Sequence, residues 1–337
     1  MMADRSEFEV RDLSELKNLC GSLLNNLQRS TNGFKHRIEF VDSVEKAKQA
    51  CDQLGSFKEL AFDCEGVDLG RGGKLTLIQL MAKDDKIFIF DVLALGESVF
   101  QNTGLREILE SKEIRKVMFD CRCDSDSLWE EYKVKLTNVL DMQLFEYMVR
   151  PIAGTSLRGA NRPWHVRKPC IRGLDKTVST YVRRSDFILN DIGIRDFESM
   201  KKSGGELMRS CHTVWRYRPL HQGLERYAAL DVVILHLVKE ALTKKLPMQG
   251  VQLERLEVAS ERYVSVRRDF EKPDDVYIRN CLLLSYIIPE MTGGRLKAFP
   301  REDTKCLGCK RMFCSSYVVN NKCEDCREIE RVNRHRR

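Results

Sequence analysis

Between Arg37 and Val149 short apolar runs alternate with amphipathic stretches, and no other feature of the chain limits its fold as much. "RIEFVDS", "ELAFDCEG", "KLTLIQLMA", "KIFIFDVLAL", "RKVMFD" and "TNVLDM" have the length and apolar content of strands. Between them lie helical patterns: "VEKAKQACDQL", with Asp42 or Ser43 placed to cap it, then "GLREILES", "SDSLWEEYK" and "QLFEYMV". "KLTLIQLMA" and "KIFIFDVLAL" are separated only by the turn "KDD". Such alternation predicts an α/β protein, a sheet with helices packed around it.

Residues 1–35 read as an N-terminal helical segment with apolar residues at Leu13, Leu16, Leu23, Leu24 and Leu27. Past Pro151 helical periodicity dominates from Leu174 to Leu242. It ends in "RYAALDVVILHLVKEALTK", whose wide apolar face holds Leu224, Tyr227, Ala228, Val232, Leu235, Val238 and Leu242. A break at "KKLPMQG" opens a helical extension, and "TGGRLKAFP" reads as a linker to a cysteine cluster. The expected organisation is a helical segment (1–35), a main α/β domain (36–245), a helical extension (246–295) and a small C-terminal module (300–337).

Hydrophobic residues make up 42% of the 337 and charged residues 32%, a balance that buries a real core and stays soluble. No apolar run has the length of a membrane span, so no membrane partner is expected. The acidic start "MMADRSEFEV" lacks the apolar region of a secretory signal. Eight cysteines are scattered (Cys20, Cys51, Cys64, Cys121, Cys123, Cys170, Cys211 and Cys281) and five crowd between Cys306 and Cys326. An odd total with one terminal cluster is no secreted disulfide framework. The expected location is intracellular, nucleus or cytoplasm.

Asp63 and Glu65 end the run "ELAFDCEG". At i and i+2 on a strand their carboxylates share a face, while Phe62 and Cys64 face the other way. Two carboxylates held close both ionise comfortably only with a cation between them, and the hard oxygen donors suit Mg²⁺ or Mn²⁺. Further acids follow another apolar run in "KVMFDCRCDSDSLW": Asp120, Asp124 and Asp126 are all candidates, with Asp124 at a helix N-terminal turn. Tyr227 and Asp231 stand four apart and share a helix face.

In this order the motifs resemble the DEDD-type 3′–5′ exonucleases, in the tyrosine branch of the ribonuclease D-like and Werner-type superfamily. "FVDSVEKAKQACDQL…ELAFDCEG", "KLTLIQL…KIFIFDV", "DMQLFEYMV" and "VWRYRPLHQGLERYAALDVVIL" carry the resemblance from Ile38 to Leu242. It implies a ribonuclease H-like mixed sheet flanked by helices. It assigns Asp63 and Glu65 to the first motif, Asp124 to the second, ahead of Asp120 and Asp126, and Tyr227 with Asp231 to the third. Asp63, Glu65, Asp124 and Asp231 would hold two Mg²⁺ or Mn²⁺ ions, and Tyr227 would orient the attacking water. Two departures stand out. Phe119 occupies a position where relatives often have His, and Met148 to Asp175 is longer and more basic than in ribonuclease D.

Two elements fall outside that frame. Cys306, Cys309, Cys323 and Cys326 form C-x2-C, 13 residues, C-x2-C, the four-thiolate pattern of one structural Zn²⁺, with Cys314 as a spare that either packs or replaces a ligand. The module's Lys305, Lys310, Arg311 and Lys322 fit nucleic acid, and the module equally fits a protein partner. Residues 150–172 hold six Arg or Lys and no acid. Arg158, Arg162, Arg167 and Lys168 would contact phosphates and Trp164 would stack on a base, or the stretch is a solvated loop. Trp215 reads as a core anchor. The expected function is hydrolysis of nucleic acid from single-stranded 3′ ends, releasing nucleoside 5′-monophosphates, with RNA favoured over DNA on the resemblance alone. The alternative is a nucleic-acid-binding adaptor on the same fold with little or no catalysis.

Overall fold

The computed structural model describes residues 9–83, 86–150, 171–183, 185–186 and 197–268, with short pieces between 303 and 327. In chain order the elements are β1 (Arg11–Asp12), α1 (Leu13–Thr31), β2 (Arg37–Val41), α2 (Val44–Leu54), β3 (Glu59–Val67), β4 (Lys74–Met81) and β5 (Lys86–Asp91). Next come α3 (Val92–Leu95), α4 (Ser98–Gln101), α5 (Leu105–Glu110), β6 (Arg115–Met118), α6 (Arg122–Tyr132), β7 (Val139–Asp141) and α7 (Met142–Val149). The chain continues with α8 (Leu174–Tyr181), α9 (Phe197–Ser210), β8 (Tyr217–Arg218), α10 (Gln222–Thr243) and α11 (Val251–Arg268).

The six apolar runs become one six-stranded sheet in the order β2-β5-β4-β3-β6-β7. β3 pairs antiparallel with β4 and β4 with β5, whereas β2–β5, β3–β6 and β6–β7 are parallel, so the sheet is mixed. β3 is therefore central, and its residues Leu60, Ala61 and Phe62 are fully buried. Local chemistry fixes several boundaries. Ser43 caps α2 by accepting from Lys46 N at 3.3 Å, while Asp42 pairs with the Lys46 ammonium at 2.7 Å. The register of β3 on β4 shifts between Glu65 and Gly66, where a β-carbon on Gly66 would stand 2.2 Å from Lys74 O. Only glycine fits that close backbone approach, and the bulge re-aims the end of the strand.

Helices cover the sheet. α10 packs against β3, β4 and β5, and α1 packs against α9 and α10. α11 lies against α6 and β7. Leu16, Leu24 and Leu27 of α1 and Leu256, Ala259 and Tyr263 of α11 belong to the same hydrophobic core as the sheet. Tyr263 seals that contact: its hydroxyl donates to Gln143 Oε1 at 2.6 Å and its ring carries the Arg122 guanidinium at 4.8 Å. Among the described residues no helix is long and apolar enough to cross a membrane.

Of the C-terminal module, the described pieces are two small antiparallel pairings, Asp303–Lys305 with Met312–Cys314 and Val318–Val319 with Lys322–Cys323. Cys306, Cys309 and Cys326 lie outside the described residues, as do Arg158, Arg162, Trp164, Arg167 and Lys168.

Candidate active site

Asp63 and Glu65 project from the central strand, and Asp231 comes from the buried α10 that crosses it. One carboxylate oxygen from each lies within 4.8 Å of the others. That convergence needs the whole fold, since Asp231 reaches the strand only because α10 buries its apolar face on β3 to β5. Asp63 and Glu65 remain partly exposed while Asp124 and Asp231 are buried. Trp215, itself buried, tilts against the Tyr227 ring with centroids 6.3 Å apart.

Asp124 stands in the first turn of α6, close enough to raise the Asp63 pKa, but it is not one of the three converging carboxylates. The Cys64 thiol donates a hydrogen bond to its carboxylate, so Cys64 contacts an acid of the site although it alternates with Asp63 and Glu65 along β3. The other two acids of this stretch have different partners. Asp120 forms a two-pronged ion pair with Arg122, at 2.5 and 2.7 Å. Asp126 accepts from Arg71 N at 2.9 Å and from the Arg71 guanidinium at 3.2 Å, and Ser127 Oγ accepts from Gly70 N at 2.7 Å. Arg71 also donates to the carbonyls of Arg267 and Arg268 at the end of α11. The Gly-rich loop after β3 is thus tied to α6 and α11 by Asp126, Ser127 and Arg71.

Burial dominates the electrostatics, and neighbouring like charges add to it. Burial, followed by Asp124, Asp231 and Glu65, holds the Asp63 carboxyl well above its usual range. Glu65 is raised likewise by burial and by Asp231. Burial pushes Asp124 up to about 7, against the pull of its own backbone N–H and of Cys64. Asp231 is raised by burial too. A site that resists losing its protons in this way stores an affinity for cations. Gln79 adds to this. It sits opposite Asp63 on β4, fully buried, with neither atom of its amide partnered. Opposite residues of an antiparallel pair share a face. An orphaned amide beside raised carboxylates fits a hydrated, hard divalent ion.

Lys201 of α9 is a residue that the motif spacing does not reveal. Its ammonium pairs with Asp231 and donates to the Tyr227 hydroxyl at 3.2 Å, and it lies 4.3 Å from the centroid of the Tyr227 ring. Asp231 and Tyr227 outweigh burial and raise its pKa, so it is an ammonium. The same charge lowers Asp63 and Glu65. One helical turn later, a β-carbon on Gly204 would meet Tyr227 Cε2 at 2.3 Å, so the missing side chain is what lets the ring lie against α9. The sequence signal for both was the run "KKSGG" inside a helical stretch, because glycine in a helix interior needs a packing reason. A cavity of about 580 Å³ lined by Glu59, Met81, His236 and Lys239 lies toward the start of β3 and includes none of the four carboxylates.

Residues 38–183 match the family profile described as 3′–5′ exonuclease. Asp63, Glu65 and Asp124 fall inside that match, and Tyr227 and Asp231 beyond it. The human piRNA biogenesis protein EXD1 is 30% identical over 183 residues, which is 54% of this chain and 32% of that protein. The chain therefore spans about a third of that relative's length. Trypanosoma brucei RNase D in complex with RNA U12 superposes with a TM-score of 0.51 at 26% identity, covering 74% of this chain and 76% of that one. The GMP complex of the same protein gives a TM-score of 0.60 at 23% identity, over 86% and 84% of the two chains. The fold is that of RNase D, and residues 38–183 are similar to the 3′–5′ exonuclease family.

Proposed function

We propose that this chain is a metal-dependent 3′–5′ exonuclease that hydrolyses nucleic-acid phosphodiesters from the 3′ end and releases nucleoside 5′-monophosphates. The observation that carries the reading is the convergence of Asp63, Glu65 and Asp231 oxygens within 4.8 Å, with Tyr227 one turn before Asp231. Asp63, Glu65 and Asp231 would hold divalent ions, Mg²⁺ or Mn²⁺, and Asp124 would join them on releasing Cys64. Two such ions supply a hydroxide near neutral pH and offset the charge that builds on the phosphoryl and leaving oxygens. The chain's own part is positional. The carboxylates are fixed by a central strand and a buried helix, and Tyr227 is held by Trp215 and α9 with its hydroxyl in the site. Burial raises the Tyr227 pKa, so the phenol keeps its proton and donates it in a hydrogen bond to the attacking water.

RNA is the favoured substrate in this reading. Support comes from the Trypanosoma RNase D bound to RNA and from the piRNA biogenesis name of the human relative. The basic stretch 150–172, with Arg158, Arg162, Trp164, Arg167 and Lys168, would bind the single strand. The four thiolates Cys306, Cys309, Cys323 and Cys326 would hold one structural Zn²⁺, which elemental analysis of the purified chain checks directly. An intracellular site, nucleus or cytoplasm, fits the unpaired cysteines. A second reading, a nucleic-acid-binding adaptor with little catalysis, draws on the ion pair between Lys201 and Asp231 and on the turn of Asp124 toward Cys64. Digestion of 3′-labelled single- and double-stranded RNA and DNA with Mn²⁺ or Mg²⁺ separates the two. Stepwise trimming lost in Asp63→Ala/Glu65→Ala supports the enzyme. Binding without trimming supports the adaptor.

A further inference from the structure

Three carboxylates converge in a site where the structure places one cation of its own. Lys201 reaches the site from α9, with side-chain exposures of 10% for Lys201 and 9% for Asp231. The ammonium has two direct partners, Asp231 and the Tyr227 hydroxyl, and stands over the Tyr227 ring. Its other neighbour on α9 is Phe197, whose ring centroid lies 5.8 Å away. The acids facing it from other elements are Asp63 and Glu65 of β3, both of which feel its charge. The acids of α9 itself, Glu198 and Glu206, form no ion pair with it.

We infer that Lys201 is a built-in counter-ion of the carboxylate site, holding Asp231 and Tyr227 in the metal-free protein and competing with a divalent ion for Asp231. The inference rests on the proposed metal site. Physically, an ammonium in contact with a carboxylate already neutralises part of its charge, and an arriving ion meets both a lost ligand and a like charge. The ion gains full use of Asp231 only when Lys201 withdraws. Withdrawal also removes a donor from the Tyr227 oxygen, which couples occupancy of the site to the hydrogen bonding of the phenol. Lys201 is thus a positioning residue that acts through Asp231 and Tyr227.

Mn²⁺ binding to the full chain, measured by calorimetry and by the electron paramagnetic resonance of free Mn²⁺, tests this without any turnover. Lys201→Gln should bind roughly tenfold tighter than wild type, because a like charge beside a ligand is gone. Lys201→Arg, which keeps the charge, should stay near wild type. The Lys201→Gln gain should vanish when Asp231→Asn is added, since the competition is for that carboxylate. A second measurement uses the unaltered protein and does not depend on how the variants fold: amine acetylation read by mass spectrometry. Lys201 should be protected in EDTA and become reactive with Mn²⁺. Equal or weaker Mn²⁺ binding by folded Lys201→Gln, or protection of Lys201 unchanged by Mn²⁺, overturns the inference while leaving the metal site standing. No Mn²⁺ binding by wild type, Lys201→Gln or Lys201→Arg overturns both.

Discussion

Gly204 and Tyr227 approach so closely that any β-carbon at position 204 would stand 2.3 Å from Cε2 of the ring. The contact is between two helices, and Trp215 also tilts against the tyrosine ring, 6.3 Å between centroids. Gly204→Ala therefore sets two effects against each other. Alanine is the better helix former by about 1 kcal/mol over glycine. Forcing a methyl into packed atoms costs roughly 1–3 kcal/mol, and here a ring must move. Overpacking should win, with a net loss of about 1 kcal/mol in denaturant unfolding. The 3′-trimming rate should fall by much more than that loss explains, because in the proposed reaction the displaced hydroxyl orients the attacking water. A variant as active as wild type would mean Tyr227 does not need that position.

The raised carboxyls set the pH dependence of the metal-free protein. Asp124 is pushed up to about 7 and Asp141 to about 6, and Asp63, Glu65 and Asp231 are raised as well. A carboxyl whose pKa is higher folded than unfolded makes the folded state hold more protons. Stability then falls as pH climbs from the unfolded value near 4 through the folded one, by about 1.4 kcal/mol per pH unit for each proton. Lys201 works outside this window, since a raised ammonium stays charged in both states until well above pH 8. Melting in EDTA should thus show a midpoint that drops between pH 5 and pH 8. Mn²⁺ should raise the midpoint more at pH 8 than at pH 5. A flat profile in EDTA would remove the repulsion on which the metal site is argued.

How much of this the sequence showed depends on whether a signal was local. The six strands follow from six apolar runs and a cap at Asp42 or Ser43 from their place before "VEKAK", because both are set within a few residues. Asp63 and Glu65 are legible together through strand periodicity, and Tyr227 with Asp231 through helical periodicity. Lys201 pairs with a residue thirty positions away, on a helix packed against another, so no spacing reveals it. Gln79 looked like one more position in an apolar strand, and its meaning appears only when register sets it opposite Asp63. Asp124 and Asp126 share a helix turn and a residue type. Their roles diverge because one points to β3 and the other to the loop after it, a difference that depends on how α6 is set on the sheet.

Glu146 of α7 is fully buried between two guanidinium groups, Arg150 at 3.1 Å and Arg172 at 3.0 Å, with the Tyr181 hydroxyl at 3.4 Å. It joins the end of α7 to the approach to α8. Glu146→Ala would leave two cations beside a void, and breaking one partner of a buried pair costs roughly 3–5 kcal/mol. Urea unfolding should show a loss of that order. Mn²⁺ affinity should not change, because none of these groups touches the carboxylate site. A loss under about 1 kcal/mol would mean the arginines find water instead.

Asp124 and Asp126, two residues apart, should respond in opposite ways to the same substitution. Asp126→Asn removes the carboxylate that pairs with Arg71, while Arg71 keeps its carbonyl acceptors at the end of α11. Its side chain is 4% exposed, so the loss should show as destabilisation of roughly 2–3 kcal/mol, with or without metal. Asp124→Asn removes a carboxylate from a crowd of like charges. The metal-free protein should then be more stable at pH 8 than wild type, by about 1–3 kcal/mol, with the gain shrinking toward pH 5 as the native carboxyl takes up its proton. In Mn²⁺ the order should reverse for Asp124→Asn, which loses a proposed ligand, and stay the same for Asp126→Asn. Thermal melts of both variants at pH 5 and pH 8, in EDTA and in Mn²⁺, give all the comparisons. If Asp126→Asn alone lost its metal response, the second-motif ligand would be Asp126, and the tie to Arg71 would be what metal binding breaks.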